Sequence, residues 1–114
     1  MRRKTIMVNK NPFGVPDMIE ILGARYTIKT VEKLNKADDV GECNIMNKTI
    51  TLKYAGNICR ESYRDTLIHE LTHALLDRLG LNNVIPRNVS EVLCDALGQQ
   101  IFILMSNNKW LLKV

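Results

Sequence analysis

The chain has 114 residues, of which 46% are hydrophobic and 25% charged, with a formal net charge of +4. That balance is the balance of a globular domain, so it excludes disordered, collagen-like and coiled-coil chains. The length suits one small domain with its own core.

Sixteen Lys and Arg face twelve Asp and Glu. Arg2, Arg3, Lys4 and Lys10 account for the whole excess, and beyond residue 10 the charges cancel. The basic character therefore belongs to an N-terminal tail, and nucleic-acid binding by the folded domain is not expected. No apolar run reaches the ~20 residues of a membrane-spanning helix. The start, MRRKTIMVNKNPFG, lacks the apolar stretch of a signal peptide. A cytoplasmic protein with no membrane partner is the expectation. The three cysteines, Cys43, Cys59 and Cys94, are odd in number and show no CxxC spacing, which reads as buried free thiols.

Residues 1–17 read as a tail or extended lead-in, and residues 18–114 as one domain. From Met18 the apolar residues alternate. Gly23 separates Met18–Leu22 from Arg25–Lys29, as in a β-hairpin. Asn35–Gly41 is a polar loop. Ile50, Leu52 and Tyr54 then alternate with Thr49, Thr51 and Lys53, and Asn47-Lys48 suits the turn of a second hairpin. Leu67, Ile68, Leu71, Leu75 and Leu79 repeat at helical spacing over Arg60–Leu79, with Gly80 as the C-terminal stop. A second helix is expected from about Val89 to Ser106, with Val92, Leu93, Leu97, Ile101 and Leu104 as its apolar stripe. Strands first and helices last predict an α+β domain, with a small antiparallel sheet of three or four strands packed by two helices.

The chemistry concentrates in His69-Glu70-Leu71-Thr72-His73, an HExxH pattern that holds both histidines of the chain. Residues i and i+4 share a helix face, so both imidazoles can address one metal ion. Glu70 sits beside them, placed to take a proton from a water activated by that metal. A catalytic zinc site wants three protein ligands and an open position. With no third histidine, the downstream acids are the candidates: Asp77, Glu91 and Asp95. Asp77 continues the His73 face but lies about 6 Å further along the helix, which suits a hydrogen-bond acceptor better than a ligand. Glu91 starts a separate helix that can fold back onto the metal. Asp95, one turn later, is placed to accept the other ring N–H of a ligand histidine. Asn88-Val89-Ser90-Glu91 also reads as a capping box, with Glu91 as the cap partner.

HELTHALL followed by SEVLCD resembles the gluzincin arrangement of thermolysin-like metallopeptidases. The resemblance implies His69, His73 and Glu91 as zinc ligands, Glu70 as catalytic base and Asp95 as the support of a ligand histidine. It also asks for a residue that stabilises the tetrahedral intermediate. Tyr63, Tyr54, Tyr26 and Arg87 are the candidates, and the sequence does not choose among them. Across residues 18–106, ILGARYTIK, GECNIMNKTITL and TLIHELTHALLDRLGL resemble the short metallopeptidases of phages and mobile elements, akin to the ImmA/IrrE type and to minigluzincins. In gluzincins the strand that corresponds to Thr49–Tyr54 borders the cleft and can pair with an extended peptide; an ordinary sheet edge is the equal alternative. These features imply a Zn²⁺-dependent peptidase with a specific protein or peptide substrate, in a bacterial or, for a phage protein, host cytoplasm. The alternative is a zinc-stabilised binding protein that acts by docking. The sequence gives no oligomeric state.

Overall fold

The computed structural model describes residues 12–36, 39–55 and 58–114. Strands β1 (Met18–Ile21), β2 (Ala24–Val31), β3 (Gly41–Asn44) and β4 (Thr49–Lys53) precede helices α1 (Arg60–Arg78) and α2 (Arg87–Asn107). A terminal 3₁₀ turn covers Lys109–Lys113. The fold is α+β, as the order of elements predicts.

β1 and β2 form the expected hairpin, with Ile21 paired to Ala24. Leu22 and Gly23 take φ of 47° and 83°, the left-handed pair that a two-residue hairpin turn requires. β3 and β4 form the second hairpin, with Asn44 opposite Thr49. The sheet departs from the expected antiparallel form at one seam. Its order is β1-β2-β4-β3, and β2 runs parallel to β4. After β2 the chain crosses to the far edge, lays down β3 and returns through β4. β4 is therefore a central strand with both edges paired, and β3 is the edge.

Alternation gives the sheet one buried face. Tyr26, Ile28, Ile50 and Leu52 point into it and are almost wholly enclosed. α1 covers that face with Tyr63, Leu67, Leu71 and Ala74. The apolar stripe expected on α1 is met only in part, since Leu75 and Leu79 stay exposed while Tyr63 and Ala74 are core. The lead-in is not all tail. Phe13 packs edge-on against Tyr54 and tilted against Tyr63, with ring centroids 5.6 and 5.4 Å away. The basic residues Arg2 to Lys10 lie outside the described residues.

Cys59, expected to be buried, is an exposed N-cap of α1 whose sulfur accepts the Ser62 amide. At the other end, Leu81 N–H bonds to Leu76 O and Gly80 N–H to Asp77 O. With Gly80 at φ 76°, this is a Schellman stop.

α2 is one helix with an internal irregularity. Leu93–Leu97 forms a π turn, closed by Gly98 N–H to Leu93 O five residues back. A π turn inserts one extra residue into a helix. Every later side chain is thereby rotated by about 100° from its position in a regular helix. Ser90, Cys94 and Gly98 are buried, Gly98 against Thr72 and Ile68 of α1, while Val92, Leu97, Ile101 and Leu104 are about half exposed or more. Beyond the π turn the packed positions run one residue later than the expected stripe.

Candidate metal centre

α1 places His69 and His73 one turn apart, with ring centroids 4.8 Å apart. Their Nε2 atoms point at each other across 3.2 Å. α2 crosses α1 closely because small residues line the crossing. At Gly98 a Cβ would overlap the Thr72 hydroxyl, itself held by donation to Ile68 O at 2.8 Å. Gln99 Nε2 donates to Asp65 O at 2.8 Å and pins the two helices together. The close crossing brings Glu91 onto the histidine pair: Oε1 lies 3.3 Å from His69 Nε2, and Oε2 lies 3.0 Å from His73 Nε2.

Two imidazole nitrogens and a carboxylate thus meet from separate elements, with one ligand atom from each within 4.8 Å of the others. Donors about 2.0–2.1 Å from a tetrahedral zinc lie about 3.3 Å apart along the edges of the tetrahedron. The 3.2 Å between the two Nε2 atoms matches that spacing, and each nitrogen has one Glu91 oxygen within 3.0 or 3.3 Å. His69 Nδ1 lies 2.6 Å from Asp95 Oδ1. Donation of that ring proton to Asp95 leaves the Nε2 lone pair facing the centre. The donor set therefore fits a divalent ion of zinc type with one side open.

Glu70, adjacent to His69 in sequence, is buried at 7% exposure and lines the cleft beside this group. Burial pushes its carboxyl up to about 7, His69 opposes that rise, and the acids Glu91, Glu42 and Asp39 add to it. His73 is lowered, first by burial, and so favours the neutral imidazole that a metal requires. Burial drives the thiols of Cys43 and Cys94 up to about 12, so both stay protonated at neutral pH. The cleft has a volume of about 1030 Å³ and runs between α1, α2 and edge strand β3. Gly41 lets β3 lie against α1, since a Cβ there would stand 2.6 Å from the Thr66 methyl.

His69, Glu70, His73, Glu91 and Asp95 come together as expected from the sequence. The capping-box reading of Glu91 does not hold: the helix starts at Arg87, its N-cap is Pro86, and no side-chain cap bond is made. The proline moves the start upstream, so Glu91 sits in the second turn. Asp77 is away from the centre and accepts from Asn82 Nδ2 at 3.4 Å. Tyr63 is correctly placed on α1 but points into the core, 1% exposed, with its hydroxyl 2.6 Å from Thr30 Oγ1. Tyr26 and Tyr54 also pack into or against the core. Of the four candidates for stabilising an intermediate, Arg87 alone lines the cleft. Gly41 and Gly98 were not singled out from the sequence. An isolated Gly within a helical pattern is the signal that could have marked Gly98 as a packing contact.

No protein-family model matches this chain, and no curated protein or solved structure matches it either.

Proposed function

We propose that the protein is a zinc-dependent metallopeptidase that hydrolyses a peptide bond in a specific protein substrate. The observation that carries this reading is the convergence of His69, His73 and Glu91 on one point, with the buried carboxylate of Glu70 beside it on an open cleft. A zinc ion held there would supply Lewis acidity toward the scissile carbonyl and a water that is acidic near neutral pH.

The chain's own residues do the rest. Asp95 holds the His69 ring in the orientation that presents Nε2. Glu70, buried beside the ligands on the cleft wall, is placed to take a proton and pass it to the leaving amine. Arg87 replaces Tyr63 as the cleft side chain able to pair with a developing oxyanion. The strand available to an extended substrate is β3, because both edges of β4 are occupied. Val40, Gly41, Glu42 and Cys43 of that rim line the cleft, which suits strand addition by a peptide.

A second reading has its own support. The centre ties α2 to α1 across an interface of small side chains, so a metal there would also stabilise the fold of a binding protein. One pair of measurements separates the two. Elemental analysis of the folded protein should give about one zinc per chain. Glu70→Gln should keep that zinc and lose cleavage of the substrate or of a peptide library. Retention of the biological effect by Glu70→Gln would favour the binding protein. Absence of metal after zinc is added back would sink both.

A further inference from the structure

The two halves of the cleft differ in chemistry, and the topology orders them. α2 runs antiparallel to α1: Gln99 bonds to Asp65 and Gly98 meets Ile68 and Thr72, while Glu91 meets His69 and His73. Arg87, one turn before Glu91, therefore lies toward the end of α1. There Asp77, one turn after His73, holds Asn82. β3 runs in the same direction as α1. Gly41 lies against Thr66 and Glu70, and the Cys43 thiol is raised by the charges of both Glu70 and Asp77. Ile45, the residue after β3, is thus carried toward the Asp77 end. Ile45, Asn82, Ile85 and Arg87 line this half of the cleft. Both isoleucines are partly buried, and Arg87 is exposed. Lys36, Asp39, Asp65 and Gln99 line the other half.

The register of β3 fixes which backbone groups open onto the cleft. Lys53 N–H donates to Val40 O at 2.9 Å, so Val40 turns its polar groups toward β4. In an antiparallel pair that orientation alternates along the strand. Glu42 and Asn44 therefore bond to β4, and the N–H and C=O of Gly41 and Cys43 face the free edge. Gly41 and Cys43 stand opposite Leu52 and Ile50, both fully buried, so their Cβ positions belong to the face that α1 covers. A peptide paired antiparallel to β3, the more stable pairing, would put the residues opposite Gly41 and Cys43 on that same face. The residue opposite Gly41 passes Glu70, so the scissile bond falls there. The residue opposite Cys43 comes one or two positions earlier in the peptide and has Ile45 as its diagonal neighbour.

We infer that Ile45 and Ile85 form a specificity subsite that takes an aliphatic side chain one or two residues before the scissile bond. The inference rests on the peptidase reading of the same centre. A leucine there leaves water for the space between two isoleucines, whereas a lysine meets the like charge of Arg87. The half beyond the scissile bond offers charged and amide groups instead. Selection for an apolar residue is therefore one-sided.

Peptide hydroxamates test this on the whole zinc-loaded chain without turnover. The hydroxamate chelates the metal, and at a peptide C-terminus it leaves the peptide only on the side before the scissile bond. Calorimetric titration compares Leu, Ser and Lys at the last and the penultimate position of an acetylated alanine peptide hydroxamate. Leu should bind roughly tenfold or more tighter than Ser or Lys at one of these positions. Ile45→Thr should erase most of that preference at unchanged zinc content. Ile85→Asp should make Lys the tightest of the three, a gain that misfolding cannot produce. A succinyl hydroxamate with an isobutyl branch, which extends to the other side, should bind no better than its unbranched parent. Equal affinity of the three peptides overturns the inference. So does an aliphatic preference confined to the succinyl compounds, or one that both variants leave untouched. The peptidase reading fails separately: a chain that shows the leucine preference and cleaves no peptide refutes that reading and keeps the subsite. A chain that binds no zinc overturns both.

Discussion

Glu70→Gln in the metal-free protein isolates the electrostatic state of the candidate base from any catalysis. The Glu70 carboxyl is raised from 4.5 to about 7, with burial as the leading cause. At about 1.4 kcal/mol per pKa unit, ionising it in the folded protein costs up to about 3 kcal/mol. The sign follows from linkage. Below pH 4.5 the group is protonated in both folded and unfolded chains and contributes no difference. Between 4.5 and about 7 the unfolded chain ionises first, so the folded state binds the extra proton and stability falls as pH rises. Above 7 the full penalty is present. Glutamine has nearly the same shape and no proton to lose. The stability of Glu70→Gln relative to the parent should therefore climb by about 3 kcal/mol between pH 4.5 and 8, on the order of 10 °C in Tm for a domain of this size. The fixed cost of seating an amide there cancels, because it does not change with pH. Urea unfolding of both proteins in chelator at pH 5, 6, 7 and 8 reads the difference directly. A gap that stays constant across that range would falsify the claim that Glu70 is held largely neutral by its surroundings.

Other expectations concern the ligands and the helix crossing. Zinc at a hundred times its dissociation constant should stabilise the chain by about 2.7 kcal/mol, seen as a rise in Tm that chelator reverses. Asp95→Ala should weaken zinc binding by about 10- to 100-fold in a competition titration with a chromophoric chelator, because the His69 ring loses its acceptor. Glu91→Ala should weaken it further, since only two donors remain; equal effects of the two variants would argue against Glu91 as a ligand. Gly98→Ala removes a helix penalty of about 1 kcal/mol, yet it drives a methyl into the Thr72 hydroxyl. Net destabilisation of about 1–2 kcal/mol by denaturant titration, together with weaker zinc binding, is the expected result. A simple gain in stability would show that α2 does not approach α1 so closely.

The elements governed by local signals were legible from the sequence. A period of two with Gly23 at the turn specifies the first hairpin, and Gly80 specifies the end of α1, because each needs only neighbouring residues. The HExxH spacing likewise fixes two imidazoles on one face whatever the helix packs against. The parallel seam between β2 and β4 was not legible. Alternation reports which face of a strand is buried and says nothing of its neighbour's direction, so two correctly read hairpins still leave the order of the sheet open. Tyr63 shows the same limit. Its place on α1 was right, but whether it points at the core or the cleft depends on Thr30 and Phe13, far away in sequence.

α2 is the instructive miss, because the signal was read correctly and the geometry changed beneath it. In a regular helix, Leu97 and Ile101 continue the face of Ser90 and Cys94 and would pack on α1. The π turn at Leu93–Leu97 inserts one residue and hands that face to Gly98. A leucine-lined crossing would hold the helices farther apart, at interaxial distances set by the side chains in contact. With Gly98 at the crossing, the backbones close in and Glu91 comes within 3.0 Å of His73. The same rotation turns Leu97 and Ile101 outward. The convergence of the candidate ligands and the outward placement of Leu97 and Ile101 are thus two results of one inserted residue. A variant that restores a regular helix, by deleting one residue within the π turn, should bury the Ile101 side chain against α1 and pull Glu91 from the histidines together. Loss of zinc binding by a chain that stays folded is the expected outcome, read by titration and circular dichroism on the same sample. If zinc binding survives while Ile101 becomes buried, the link between the two is wrong.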